Sequence, residues 1–158
     1  PSFAGPARST PSHAGAREQA GMCAMIRGSC HCGGIAFECP GRVVRFANCH
    51  CDDCRKVSGA AFNSALVMES TGFRITRGEE LLTAYESSPG KHRCFCRRCG
   101  SPIVTRMQSK PEIVILRAGI VDGDPGVKPQ MHIWVKARAP WHELLDALPQ
   151  YPEGYKPA

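Results

Sequence analysis

From Ile26 onward the chain runs in short apolar segments separated by turn formers: GGIAFE, RVVRFANC, AFNSALVM, GFRIT, SPIVTRM, EIVILRAGIV and HIWVKA. Val, Ile and Phe dominate these segments and Gly, Pro, Ser or Asp bound them, the composition of half-buried antiparallel strands. PGKHR and DGDPG mark turns. Helical spacing is scarce. PWHELLDAL sets Trp141, Leu144, Leu145 and Leu148 at helical intervals and predicts one packed turn, while EELLTAY, through Leu81, Leu82 and Tyr85, suits either a short helix or a strand edge. The pattern predicts a mainly β domain of short antiparallel strands with little helix. Pro1 to Ala24 is different: Pro, Ser, Gly and Ala with scattered Arg and no apolar periodicity predict a disordered N-terminal tail over 1–24 and one domain over 25–158. Cys23 then falls outside the domain as a free thiol.

Composition narrows the class. A chain of 158 residues with 42% hydrophobic content is most simply one domain with a modest core. No apolar run approaches the roughly 20 residues needed to span a bilayer, so no membrane segment is expected. The formal charge of +6 invites a nucleic-acid reading, but it counts every cysteine as neutral. If seven cysteines bound two divalent ions as thiolates, the charge would fall to about +3, only weakly basic. Single-strand binders interleave cations with aromatic platforms, and aromatics are only 7% here, which disfavours nucleic acid as a partner.

Ten cysteines are the strongest signal in the chain. A secreted disulfide framework should follow a signal segment, yet AGMCAMI runs straight into Arg27 without a small-residue cleavage pattern, so a reducing cytoplasm is expected. Three clusters stand out: Cys30 and Cys32 in CHC; Cys49, Cys51 and Cys54 in CHCDDC; and Cys94, Cys96 and Cys99 in CFCRRC. In an extended strand, positions i and i+2 face the same side, so both sulfurs of a CxC pair reach one ion while His31 or His50 points away. A CxxC pair uses a turn, and Gly100, directly after Cys99, suits a knuckle that needs positive φ. If Cys30 and Cys32 join Cys96 and Cys99, one closed four-thiolate site staples the start of the domain to its middle, and Cys49, Cys51 and Cys54 are left with an open corner. Cys94 and Cys39 leave other divisions open.

Together GSCHCGGIAFE, CHCDDCRKVSG, FCRRCGSPI and HIWVKARAPW resemble the glutathione-dependent formaldehyde-activating enzyme family, whose domain is shared with centromere-protein-V-like proteins. The resemblance implies a zinc-stapled β-tent-type domain with two zinc ions per chain, a structural one on Cys30, Cys32, Cys96 and Cys99 and a catalytic one on Cys49, Cys51 and Cys54. Cys94 and Cys39 fall outside that ligand pattern. The implied activity is that of a carbon–sulfur lyase, an S-(hydroxymethyl)glutathione synthase joining glutathione or a similar small thiol to formaldehyde or a related aldehyde. Arg55 and Lys56, directly after Cys54, are candidate contacts for the carboxylates of an acidic thiol. The general acid or base is not assigned, and His132, Trp134 and Trp141 are expected to pack rather than react. Two other functions fit the same residues: the two-zinc fold with a different small-molecule substrate, and a non-catalytic zinc module that binds protein or nucleic acid.

Overall fold

The computed structural model describes residues 23–155. In chain order its elements are β1 (Cys23–Ser29), β2 (Ala36–Cys49), α1 (Asp52–Ser58), β3 (Asn63–Glu69), β4 (Arg74–Arg77), β5 (Leu82–Ser88), β6 (Lys91–Cys96), β7 (Pro102–Met107), β8 (Ile113–Arg117), β9 (Met131–Ile133) and β10 (Gln150–Tyr151). Short 3-10 turns cover Glu79–Leu81, Ala118–Ile120 and Val135–Ala137. The fold is mainly β with little helix, as the alternation predicts. No helix among the described residues is long and apolar enough to cross a membrane.

The long strand β2 organises the molecule, because GGIAFE and RVVRFANC, two strands in the sequence pattern, join into one that runs through Pro40 and Gly41. Its first half pairs with β1 and β4. Its second half enters a larger sheet ordered β10-β9-β2-β3-β8-β7-β6-β5, which is not closed. A register shift between Val43 and Arg45 marks the passage from one layer to the other, as expected where a bulge bends a strand. Between the layers lies the core, with Ile26, Ile35, Phe37, Val43, Phe46, Leu66, Met68, Val104 and Leu116 all buried. Phe37 and Phe73 add a ring contact at 5.9 Å between centroids.

Four details depart from the sequence expectations. β1 begins at Cys23, which pairs with Arg42, so Cys23 and Ala24 belong to a strand rather than to the tail, while the remainder of the predicted tail lies outside the described residues. The β2–β9 and β9–β10 pairings are parallel, in an otherwise antiparallel sheet. Cys54, whose CxxC spacing from Cys51 suggested a turn, lies instead in the helix α1 over DDCRKVS, closed by Gly59 at φ 62. PWHELLDAL forms a single turn, with His142 N–H on the Ala139 carbonyl, and then runs irregularly. Trp141 and Leu145 there are 71% and 88% exposed while Leu144 and Leu148 are half-buried, so only half of the apolar positions pack.

Candidate metal centres and cation-lined cleft

Two knuckles build the first cysteine cluster. After β1, Gly33 N–H donates to the Cys30 carbonyl (2.8 Å) and Cys30 N–H to the Ile35 carbonyl (3.0 Å); after β6, Gly100 N–H donates to the Cys96 carbonyl (2.8 Å) and Cys96 N–H to the Ser101 carbonyl (2.9 Å). Gly33 at φ 68 and Gly100 at φ 75 supply the left-handed step each turn needs. His31 N–H donates to Ser101 Oγ (3.0 Å) and ties the two knuckles together. The sulfurs of Cys30, Cys32, Cys96 and Cys99 all lie within 4.8 Å of one another. Cys30 to Cys32 is 3.5 Å and Cys32 to Cys96 is 3.9 Å, close to the sulfur–sulfur edge of about 3.8 Å that a tetrahedral ion with Zn–S bonds of about 2.3 Å requires. The donor set fits a closed thiophilic site. The Ser101 hydroxyl and backbone lower the Cys99 pKa to about 5, favouring the thiolate a metal binds. His31 is exposed and outside the cluster.

The second cluster holds Cys49, Cys51 and Cys54, again within 4.8 Å of one another, with Cys49 Sγ 3.5 Å from Cys51 Sγ. Cys49 ends β2 and Cys51 precedes α1, so a strand end and a helix start bring the three together. Hydrogen bonds with Cys49 and Cys54 pull Cys51 down to about 2, and contacts with Cys51 and Cys54, together with burial, push Cys49 well up. No fourth sulfur joins them among the described residues. Cys39 faces the Glu69 carbonyl and burial raises it to about 11; Cys94 is likewise buried and raised, and both lie outside the clusters.

The trio opens into a cleft of about 450 Å³. The period of two that sets a strand's faces also builds this wall. Arg45, Ala47 and Cys49 from β2, Asn63, Ala65 and Val67 from β3, Lys91 and Arg93 from β6, Thr105 and Met107 from β7, and Ile115 and Arg117 from β8 all line it. Phe46, Leu66, Met68, Val104 and Leu116, on alternate positions, belong to the core. The cleft thus collects Arg45, Lys91, Arg93, Lys110 and Arg117, with no carboxylate among the described lining residues. Arg93 and Arg117 are only 5% and 7% exposed. Arg117 Nη2 donates to Thr105 Oγ1 (3.1 Å); burial lowers its pKa, and the sulfurs of the trio, Cys54 first, partly offset that. Arg93 Nη2 lies 3.7 Å from Asp53 Oδ2 but, like Arg45 Nε, has no hydrogen-bond partner.

Arg55 and Lys56 do not line the cleft: Arg55 pairs with Asp52 on α1, and Lys56 is exposed. Trp134, expected to pack, lines the cleft with Gly154 and Tyr155. It is the one described non-glycine residue at positive φ (60°), a backbone cost of about 1–3 kcal/mol that places its indole there. Trp141 is exposed, and His92 is half-buried on β6. The cleft cations are missed by the sequence pattern, and strand phase is the one signal that bears on them: Arg45 lies an even number of positions from Cys49, as Arg117 does from Ile115.

His50 points to the opposite side of its loop from the sulfurs and is fully buried. Its Nε2 lies 2.8 Å from His132 Nδ1, and His132 Nε2 lies 3.1 Å from both carboxylate oxygens of Asp146. Burial first, then the neighbouring His132, His142 and Arg138, lower the His50 pKa to about 4. Phe62 and His142 pack against the His50 ring at 5.2 and 6.0 Å between centroids.

A mainly β sheet carrying a four-sulfur and a three-sulfur cluster defines a class of β proteins able to hold two metal ions. The family model of the glutathione-dependent formaldehyde-activating enzyme matches residues 25–137, and the chain belongs to that family. A protein of Halomonas elongata named for the same family is 30% identical over an alignment of 132 residues, with 76% of this chain and 81% of the relative covered. A crystal structure of a Rhodobacter sphaeroides protein superposes with a TM-score of 0.52 at 29% identity, covering 65% of this chain and 91% of the other.

Proposed function

We propose that the protein is a zinc-dependent carbon–sulfur lyase that joins formaldehyde to glutathione or a similar anionic thiol. The observation that carries this reading is the three-sulfur cluster at the wall of a cleft lined by five cations and no carboxylate. Zinc is the ion we assign to both clusters, on Cys30, Cys32, Cys96 and Cys99 as a structural staple and on Cys49, Cys51 and Cys54 as the working site, because thiolate sets of this size suit it. When bound at the open site, it supplies Lewis acidity and thiol activation.

The chain's own residues account for the rest. Arg117 and Arg93, buried beside the trio, would hold the carboxylates of the thiol through charge-assisted hydrogen bonds, with Arg45, Lys91 and Lys110 adding to the field. Recognition is assigned to these five rather than to Arg55 and Lys56, neither of which lines the cleft. Trp134 and Tyr155 narrow the opening and exclude water from the adduct. In the forward reaction a carbon–sulfur bond forms between the thiol sulfur and the aldehyde carbon, the carbonyl π bond breaks, and the thiol proton ends on the new hydroxyl oxygen. Nothing is oxidised or reduced. None of the nine cysteines from Cys30 to Cys99 forms a disulfide, in keeping with the reducing cytoplasm in which we place the protein.

The test is a rate. Exchange between formaldehyde and its thiol adduct, followed by NMR with glutathione and with uncharged thiols, should accelerate with the intact protein and an anionic thiol and return to the uncatalysed rate with Cys54→Ser. No acceleration with any thiol removes the lyase reading; acceleration confined to uncharged thiols removes the role given to the cations.

A further inference from the structure

His50 is the residue between two sulfurs of the trio, so the direction of its ring fixes the backbone from which Cys49 and Cys51 project. His50 is tied to β9 at both ends: its backbone N–H donates to the Ile133 carbonyl (3.0 Å), and its ring Nε2 meets His132 Nδ1 at 2.8 Å. A carboxylate only accepts, so His132 presents Nε2–H to Asp146. With both rings neutral, His132 Nδ1 is then the acceptor and His50 the donor, and Asp146 sets the tautomer of each ring in turn. Asp146 is itself held, since its Oδ1 accepts Leu148 N–H (3.0 Å), while His132 N–H donates to the Pro149 carbonyl (2.8 Å).

Two imidazoles buried to 0% and 1% exposure are a costly way to fill space behind a loop. Apolar side chains would fill it at less cost, but they would not fix a direction. Phe62 and His142 already supply packing against the His50 ring. What the chain of hydrogen bonds adds is orientation, carried from the half-exposed carboxylate of Asp146 to the loop that bears the sulfurs.

Resting on the reading of the trio as a metal site, we propose that Asp146 and His132 are positioning residues that hold the Cys49–Cys51 loop in ligating form through the ring of His50. They touch neither substrate nor sulfur. Their action is on the backbone between two ligands, and the four-sulfur cluster is outside their reach.

Cobalt(II) titration of the full chain, read by thiolate-to-cobalt absorption, separates the two sites by their different sulfur counts. Asp146→Ala should weaken the three-sulfur site roughly 10-fold, the low end of the loss seen for outer-shell partners because two rings lie between it and the loop, and leave the four-sulfur site unchanged. Asp146→Asn, whose amide oxygen still accepts from Nε2–H, should recover most of the loss. His132→Phe should match Asp146→Ala, and the double variant should be no worse than His132→Phe, because both remove one chain. Equal weakening at both sites, or none at either, overturns the proposal. A second readout needs no metal in the trio: with one equivalent of zinc per chain, backbone hydrogen exchange across residues 49–54 should speed up about tenfold in Asp146→Ala and stay slow in Asp146→Asn. If the unsubstituted protein binds no cobalt at the trio, the lyase reading fails, and the exchange comparison alone decides: acceleration confined to 49–54 upholds the positioning role and its absence overturns it.

Discussion

Arg117 ends a strand of otherwise apolar residues and is 7% exposed, with its guanidinium on Thr105 and facing the trio. A buried cation of this kind is stabilised by nearby anions; the sulfurs of the trio supply part of that, and a carboxylate of the thiol would add to it. Arg117→Met, which keeps the volume and removes the charge, should raise KM for glutathione roughly 10- to 100-fold, the loss of a hydrogen bond to a charged group, while kcat changes by less than about threefold. Equal KM values for the two proteins would remove Arg117 from substrate binding. The cysteines make a second test at this scale. A thiolate attacks and a thiol does not, so with one equivalent of zinc per chain, which fills the four-sulfur cluster and leaves the trio empty, iodoacetamide near neutral pH should label Cys51, whose pKa lies low, before Cys39 and Cys94, which burial raises. Peptide mass mapping that found Cys39 modified first would contradict the environments assigned here. The cysteines were legible in the sequence because their close spacing brings sulfurs together, although Cys30 and Cys32 converge in the turn after β1 and not in the extended strand expected of a CxC pair. The cleft cations were not, because an arginine reads as solvated until the phase of its strand is known.

At the scale of elements, the knuckles after β1 and β6 are what the four-sulfur cluster joins. β1 pairs with β2 and makes only one further isolated bridge, Gly28 to Val121, so the staple to β6 closes a long loop that the sheet alone does not. Loss of a structural zinc, on the order of 10 kcal/mol of folding free energy, exceeds the stability of most small domains. Cys96→Ser should therefore abolish the cooperative thermal transition, whereas Cys51→Ser should keep it and lose activity. Equal loss of the transition in both variants would contradict the division of labour between the clusters. The strand pattern was legible because β alternation follows directly from side-chain direction. Two elements were not. The union of two segments into β2 depends on Pro40 and Gly41 lying where one layer passes into the next, and nothing local distinguishes that from a turn. The apolar spacing of PWHELLDAL suits a helix, but Asp146 is engaged by His132 and Leu148 N–H, which holds the segment in an irregular path and leaves Leu145 in solvent.

Across the whole molecule, one sheet face buries the core and the other forms the cleft, and the C-terminal segment returns over that cleft. Trp134 N–H on the Glu153 carbonyl and Lys136 N–H on the Pro152 carbonyl bring Gly154 and Tyr155 beside the indole, so residues far apart in sequence complete one opening. The central claim is that one cluster is closed and the other open to a small reactant. Cadmium-113 NMR of the protein with both clusters filled reads this directly, since each site gives its own resonance. Added glutathione should shift the resonance of the Cys49, Cys51 and Cys54 site, identified by its loss in Cys51→Ser, and leave the other in place. Two unmoved resonances, or two that move together, would contradict the claim.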